Sequence, residues 1–304
     1  MAIGELRAVD LGGVSDCYYY DTGMFDATGY TSVYVLDAER PAVVDTGNGA
    51  NWRLVLDALA ELDVAPEELA VIAPTHVHLD HAGGAGYLAE ACPNAEVVVH
   101  ELGAPHLVDP ERLIEGTKRA VGAEWEYYAD PVPVPADRVR ELTDGDAVDL
   151  GDRTLEVHHV PGHAPHQVAF HDPAEALLFT ADAAGIYVDP LDALQPTTPP
   201  PNFDLAQAVA DAERLADLDP EVLCYPHFGP ARRGDRLERY AGLLEDWVDD
   251  VAAARERFED LDDLVDHLFA GDEALCDVWG ERRARANVAL NVDGVLLALD
   301  RQLA

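Results

Sequence analysis

The chain has 304 residues, 48% of them hydrophobic, which suffices for one large folded domain or one domain with a small appendage and excludes a globally disordered chain. It carries 59 acidic against 20 basic residues, a net charge of −39, and Lys118 is its only lysine. This charge disfavours a large nucleic-acid groove and favours a halophilic source, where molar salt screens carboxylate repulsion beyond about 3 Å.

The cysteines and the N-terminus indicate a cytoplasmic chain. The four cysteines are scattered and form no Cys-x-x-Cys pair, so we expect free thiols in a reducing compartment rather than a disulfide framework. The N-terminal residues lack a basic segment followed by an apolar one, so no signal peptide is expected. No apolar run approaches the roughly 20 residues that span a bilayer, so no membrane segment is expected.

Short apolar runs separated by turns predict strands and helices in the first hundred residues. Residues 31–36 and 41–47 predict a hairpin, because a polar turn separates two β-branched runs. A helix is predicted at 52–62, with Asn51 as its cap, and a shorter one at 87–91. Further strands are predicted at 69–75 and 95–100.

The next segment, residues 101–145, is predicted to be an insertion over one edge of the core, helical at first and irregular near 131–135. The regular elements beyond it are predicted as strands at 153–160, 167–172, 176–182 and 221–226, with a proline-rich loop at 196–201 and a helix at 204–218. From residue 234 the pattern predicts helices almost throughout. We therefore expect one domain at 1–230 and a helical region at 231–304, whose apolar stripe favours a core contact or a homodimer.

The segment Thr75-His76-Val77-His78-Leu79-Asp80-His81 carries the clearest chemical signal. In an extended chain, side chains 76, 78 and 80 share one face, and His81 adds a fourth donor where the chain turns towards a helix. Four ligand-type side chains are too many for one zinc ion with an open position. The spacing therefore predicts a pair of metal ions.

Three more ligand-type residues, His163, Asp182 and His227, each lie at the C-terminal exit of a predicted strand, where loops commonly carry function. Other histidines lie near His163 in the sequence, namely His158, His159, His166 and His171. His158 and His159 fall on strand positions, so packing is their expected role. His166 is a candidate for supporting the ligands.

The order of these motifs along the chain resembles that of the metallo-β-lactamase superfamily. The motifs are Asp45-Thr46-Gly47, the segment from His76 to His81, His163, Asp182 and His227. The resemblance covers about residues 1–230 and implies a catalytic domain of α/β (α+β) class, an αββα sandwich of two mixed sheets with outer helices. It implies that one metal takes His76, His78 and His163, that the other takes Asp80, His81 and His227, and that Asp182 bridges both. Asp45 would orient ligands without binding metal.

Asp182 and His81, with the stretch Pro161-Gly162-His163-x-x-His166, resemble the glyoxalase II and lactonase branch. We expect two Zn²⁺ ions, with iron or manganese as alternatives, since His/Asp sites accept all three. A bridging hydroxide would attack a thioester, ester or lactone carbonyl of a small acid, while Asp80 orients the nucleophile and passes on its proton. Tyr187 and Phe228 are candidate substrate contacts, although packing alone explains either.

Two alternatives remain open. The same kind of site serves transfer-RNA 3′-processing enzymes, so a phosphodiesterase or ribonuclease is the second hypothesis. A Gly/Pro- and Lys-rich arm for RNA is missing from the sequence, which disfavours nucleic acid as the partner. The third hypothesis is a metal-bearing binding or regulatory protein without turnover, which a site covered by the 101–145 insertion would favour.

Overall fold

Most of the predicted elements form within residues 2–270 and 273–303, the part of the chain that this computed structural model describes. The strands are β1 (Arg7–Ala8), β2 (Cys17–Asp21), β3 (Ser32–Leu36), β4 (Ala42–Val44), β5 (Val71–Ala73), β6 (Glu96–His100), β7 (Val139–Leu142), β8 (Ala147–Asp149), β9 (Thr154–His159), β10 (Val168–Asp172), β11 (Leu177–Phe179), β12 (Ile186–Val188), β13 (Ala193–Gln195), β14 (Val222–Tyr225) and β15 (Gly229–Arg232). The helices are α1 (Arg53–Glu61), α2 (Leu79–Ala82), α3 (Ala85–Ala91), α4 (Ala104–Val108), α5 (Glu111–Val121), α6 (Leu205–Asp217), α7 (Arg236–Arg255), α8 (Leu261–Phe269), α9 (Glu273–Trp279) and α10 (Glu281–Leu303).

The strands build two mixed sheets and a separate hairpin. The first sheet has the order β1-β2-β3-β4-β5-β6-β7, antiparallel up to β4 and parallel from β4 to β7. The second has the order β15-β14-β11-β10-β9-β8, with a parallel pair at β11 and β14. Strands β12 and β13 pair with each other. The predicted α/β class with two mixed sheets and helices is confirmed.

A hydrophobic core joins the facing sides of the two sheets. It combines buried residues such as Tyr34 and Val44 from the first sheet with Phe170 and Phe179 from the second. The rings of Tyr34 and Phe179 meet edge to face, with centroids 5.4 Å apart. Side chains alternate between faces along a strand, so every second residue of these strands enters this core and its neighbours point the other way.

The opposite face of the first sheet is covered by helices. Val55 and Leu59 of α1, Leu88 of α3 and Leu107 of α4 share a core with sheet residues such as Ile72. The apolar positions of α1 recur at helical spacing, which explains the helix predicted at 52–62. The predicted cap is wrong, because the Asn51 side chain donates to the carbonyl of Thr22 (2.7 Å) and makes no bond to the helix start.

The chain divides into two compact units that are discontinuous in sequence. The sheet unit contains the residues up to His159, His166–Ala181 and Asp219–Gly234, and it holds both sheets and helices α1 to α5. The helical unit contains Val160–Pro165, Asp182–Leu218 and the chain from Asp235 onward. The sequence placed one boundary after residue 230, and that domain boundary stays a prediction.

The helical unit packs α6 to α10 and the β12–β13 hairpin around its own apolar residues. Leu237, Tyr240 and Leu244 of α7 are buried, and so are Val292 and Val295 of α10. Helix α6 begins as predicted, since the Asp204 side chain accepts from the backbone N–H of Gln207 at 3.0 Å. Among the described residues, no helix is both long enough and apolar enough to cross a bilayer.

The 101–145 segment contributes more regular structure than its sequence predicted. Helices α4 and α5 form in its first half, as expected. Beyond the proline-rich stretch, β7 pairs in parallel with β6 and extends the first sheet. A tyrosine pair in between, Tyr127 and Tyr128, returns towards the loop after β4, because the Asn48 side chain donates to the carbonyl of Tyr127 (2.7 Å).

Candidate metal centre

The segment from His76 to His81 turns at the end of β5. His78 is extended (φ −59°, ψ 145°) and precedes α2, whose first turn contains Asp80 and whose last turn contains His81. The prediction that residues 76 to 80 are extended is wrong, because the helix starts at Leu79. The turn brings the donors together in two pairs: His76 Nε2 lies 3.0 Å from His78 Nδ1, and His81 Nε2 lies 3.4 Å from Asp80 Oδ2.

Asp45 lies directly after β4 with a left-handed backbone (φ 61°) and is buried. Its Oδ1 accepts from the backbone N–H of Thr75 (2.8 Å) and from the Thr75 hydroxyl (2.9 Å). Its Oδ2 lies 3.0 Å from Nδ1 of His81. A proton held at Nδ1 leaves the lone pair at Nε2 of His81, and this is the contact that an orienting role requires.

His227 follows β14 and is oriented in the same way. Its Nδ1 lies 2.7 Å from the carbonyl oxygen of Tyr30, which can only accept a hydrogen bond. The Nε2 atom of His227 therefore carries the lone pair. Asp80, His81 and His227 each offer one donor atom, and these three atoms lie within 4.8 Å of one another. They form a compact donor set of one carboxylate and two imidazoles inside the sheet unit.

The helical unit contains the other two sequence-predicted ligands. Nε2 of His163 lies 3.3 Å from Oδ2 of Asp182, and both side chains are buried. Nδ1 of His163 lies 3.0 Å from the carbonyl oxygen of Thr197. The Thr197 hydroxyl in turn donates to the backbone oxygen of Asp182 (2.7 Å). The Nδ1 atom is again held by an oxygen, as in His81 and His227.

Close packing against α6 positions the loop that carries His163. A Cβ atom on Gly162 would lie 2.3 Å from the Ala208 backbone, so only glycine fits there. The Gly162 backbone N–H donates to Oδ2 of Asp211 at 2.7 Å, and Asp211 is buried. This explains the Pro161-Gly162-His163 sequence in terms of local packing.

The charge states of the donors suit metal binding. Burial lowers the pKa of His78 to about 4, so its imidazole is neutral at neutral pH. Burial acts to raise the pKa of Asp80, but the neighbouring histidines, His81 first, outweigh it and hold that pKa well below its usual range. Neutral imidazole and ionised carboxylate are the forms that ligate metals.

His166 lies beside the His76–His78 pair. Its Nδ1 accepts from the backbone N–H of Val77 (3.4 Å), and its ring centroid is 5.8 Å from that of His78. Burial lowers the pKa of His166 well below its ordinary value. These contacts agree with the predicted supporting role, which stays a prediction.

The two candidate substrate contacts differ in their surroundings. The Tyr187 hydroxyl accepts from Arg236 (2.7 Å) and donates to Asp192 (3.0 Å), and the guanidinium also lies 4.2 Å from the ring. These contacts account for Tyr187 within the helical unit and do not favour a substrate role. Phe228 is half-buried beside His227, and its ring centroid is 6.0 Å from that of Tyr30.

An aromatic cluster lies next to His227, and Phe228 is the one member that sequence reasoning singled out; the members it missed are Phe25, Tyr30, Tyr127 and Tyr128. The Tyr30 ring contacts His227 edge to face, with centroids 5.1 Å apart. Phe25 in turn contacts Tyr30 (4.9 Å) and Tyr127 (5.2 Å). For the missed members the sequence signal was the tyrosine pair in the 101–145 segment, whose packing against Phe25 depends on the tertiary fold.

Comparison with known proteins supports the fold and the family. The family model of the metallo-beta-lactamase superfamily matches residues 26–227. The chain is 30% identical over 207 residues to the acyl-coenzyme A thioesterase MBLAC2 of Homo sapiens, covering 60% of this chain and 66% of that protein, slightly less than two thirds of its length. It is also 30% identical over 183 residues to hydroxyacylglutathione hydrolase of Aeromonas salmonicida (strain A449), covering 60% of this chain and 54% of that one.

A solved structure gives the same result at the level of the fold. The crystal structure of ST1585 from Sulfolobus tokodaii, an archaeal metallo-beta-lactamase superfamily protein, superposes with a TM-score of 0.69. The superposition covers 93% of this chain and 99% of that chain at 21% identity. At this identity the likeness concerns the fold alone.

Proposed function

The chain belongs to the metallo-β-lactamase superfamily, and on that premise we propose that it is a hydrolase that uses two metal ions to cleave a thioester, ester or lactone of a small acid. The observation that carries the proposal is the orientation of three imidazoles. His81, His163 and His227 each have Nδ1 against an oxygen, so each presents the lone pair of Nε2.

The proposed ligands are those implied by the family resemblance. His76, His78 and His163 would hold one ion, Asp80, His81 and His227 the other, and Asp182 would bind both. The 3.0 Å between His76 Nε2 and His78 Nδ1 supports the first set, since a small movement would bring them to the separation of about 3.3–3.4 Å between two ligands of one tetrahedral zinc ion. The contact of His163 with Asp182 supports their serving the same centre.

Zinc is our first choice of metal. Five imidazoles and two carboxylates form a borderline donor set that suits zinc and also accepts iron or manganese. When bound, such ions activate a water molecule and stabilise charge on a substrate oxygen. The free oxygen of Asp80, whose side chain is 23% exposed, would orient that water and accept its proton.

The remaining step follows from proton balance. Water adds its oxygen to the substrate carbonyl carbon, and the bond from that carbon to sulfur or oxygen breaks. The proton taken up by Asp80 then goes to the departing thiolate or alkoxide, which leaves as a thiol or alcohol.

Among the three bonds we favour the thioester. The names of two relatives, an acyl-coenzyme A thioesterase and a hydroxyacylglutathione hydrolase, support this choice. The aromatic cluster beside His227 offers apolar surface on which an acyl group can pack. The proposed partner is therefore a small-molecule thioester with an apolar acyl group.

A paired assay tests this proposal. Zinc-loaded protein in molar potassium chloride is given an acyl thioester and, separately, bis(p-nitrophenyl) phosphate. We expect turnover of the thioester, loss of that turnover in His78→Ala, and retention in a control, His267→Ala, whose exposed side chain contacts Arg257. Turnover of the phosphodiester alone would move the protein to the nuclease alternative, and a fully active His78→Ala variant would overturn the metal centre.

The setting in which the enzyme acts is also proposed rather than observed. The four cysteines are free thiols, which supports a reducing cytoplasm. The net charge of −39 supports a high-salt medium. In the helical unit Leu261 (49%) and Leu297 (40%) are exposed, which supports a homodimer contact there.

A further inference from the structure

A second group of metal-ligating side chains lies on the second sheet. In β9, Leu155 and Val157 enter the core between the sheets, so Glu156 and His158 lie on the other face. In β10, Val168 and Phe170 enter the same core, and His171 therefore shares the face of Glu156 and His158. The antiparallel register places His171 directly opposite Glu156.

The three side chains, here called the β9–β10 triad (Glu156, His158 and His171), converge on one point. Oε2 of Glu156 lies 3.6 Å from Nδ1 of His171 and 3.8 Å from Nε2 of His158. One donor atom from each residue lies within 4.8 Å of the other two. The ring centroids of His158 and His171 are 5.9 Å apart.

These separations suit a metal ion better than direct ion pairs. A charge-assisted bond between histidine and carboxylate is about 2.7–2.9 Å long, and both observed separations are well beyond it. Two ligands at about 2.0–2.1 Å from one tetrahedral zinc ion lie about 3.3–3.4 Å apart, so small movements would close the triad around zinc.

Burial points the same way. The His171 side chain is 8% exposed, and among the described residues its Nδ1 has no hydrogen-bond partner. Buried ring nitrogens normally have a partner, so an acceptor of the lone pair is expected at this atom. Glu156, at 51% exposure, keeps the triad in contact with solvent, so an ion can enter.

We propose that the β9–β10 triad binds a zinc ion at a site that shares no ligand with the candidate catalytic centre. His158 Nε2, His171 Nδ1 and the Glu156 carboxylate supply three ligands, and water completes the coordination. This ligand role is an alternative to the packing role that the sequence predicts for His158. The site joins two neighbouring strands and needs no substrate, so its expected effect is on the stability of the protein.

Counting metal ions tests the proposal in the full-length protein. Zinc per chain is measured by inductively coupled plasma mass spectrometry after dialysis against buffered zinc. Wild type is compared with Glu156→Gln and His171→Ala, and with His267→Ala as a control at an exposed histidine. Glu156→Gln is the safer variant, because it keeps the shape of a half-exposed side chain.

We expect both triad variants to bind one equivalent of zinc less than wild type and to keep wild-type turnover. Zinc should also raise the Tm of these variants less than it raises the Tm of wild type. The control should match wild type. Equal zinc content in wild type and both triad variants would overturn the proposal. Loss of zinc together with turnover would overturn the independence of the site, and loss in the control as well would show adventitious binding only. The zinc count does not depend on which substrate the enzyme cleaves.

Discussion

Replacing Asp45 by asparagine tests how the imidazole of His81 is oriented. The carboxylate accepts three hydrogen bonds, two from Thr75 and one from Nδ1 of His81. Asparagine keeps the shape and tolerates the left-handed backbone, whereas alanine would add strain. The amide group of asparagine, however, has only one oxygen that can accept hydrogen bonds. The two Thr75 donors and Nδ1 of His81 would therefore compete for that oxygen.

The consequence follows from the two tautomers of imidazole. If the asparagine NH₂ group faces Nδ1, His81 must move its proton to Nε2, which removes the lone pair that a metal needs. Loss of such an orienting contact typically weakens metal binding by about 10–100-fold, or about 1.4–2.8 kcal/mol. We expect Asp45→Asn to lose affinity for the ion held by His81 by about this factor.

Competition with a chromogenic chelator measures that affinity. Asp219→Asn is a matched control, because Asp219 has a similar left-handed backbone (φ 51°), is exposed and loses the same charge. The control should bind metal as wild type does. Wild-type affinity in Asp45→Asn would refute the orienting role of Asp45.

Three further predictions concern the substrate, pH and salt. Phe228→Ala should raise KM for an apolar acyl thioester several-fold, with little change in kcat, because the lost aromatic contact is worth about 0.5–1.5 kcal/mol. An unchanged KM in steady-state kinetics would exclude the aromatic cluster from substrate binding. Burial lowers the pKa of His78 from 6.5 to about 4 in the folded state, so protons bind the unfolded chain more tightly. The free energy of unfolding of the metal-free protein should therefore be greatest above about pH 6.5 and should fall as the pH drops towards about 4. Thermal unfolding in molar salt should therefore show a weaker pH dependence for His78→Gln, and equal slopes would contradict the shift. Tm should rise with potassium chloride, since salt screens a net charge of −39, and an unchanged Tm in dilute buffer would remove the high-salt argument.

The sequence predicted those parts of the fold that depend on local patterns. The hairpin of β3 and β4, the buried strand β5 and helix α6 follow from β-branched runs, apolar runs and helical spacing of apolar residues. Strand β7 escaped prediction, because it follows a proline-rich stretch and is defined by pairing with β6. Pairing between strands distant in sequence leaves little local trace.

The candidate metal centre likewise has features that the local sequence shows and features that only the tertiary fold creates. Four donors within six residues were evident from the sequence, but the way they meet was not, because the helix that starts at Leu79 brings Asp80 and His81 together. The contacts that orient His227 and His163 come from the carbonyl oxygens of Tyr30 and Thr197. Every residue has a backbone carbonyl oxygen, so the residue type at a position does not indicate that its carbonyl will orient a histidine. The β9–β10 triad was hidden for a related reason, since it depends on the register between two strands.

The most direct test of the central claim is a metal titration of the stripped enzyme. Protein freed of metal by a chelator is assayed for thioester hydrolysis while zinc is added stepwise in molar potassium chloride. We expect no turnover without metal and recovery as zinc fills the proposed ligands from His76 to His227, whereas His78→Ala stays inactive at every zinc level. Full turnover by the metal-free protein would show that hydrolysis needs no metal ion.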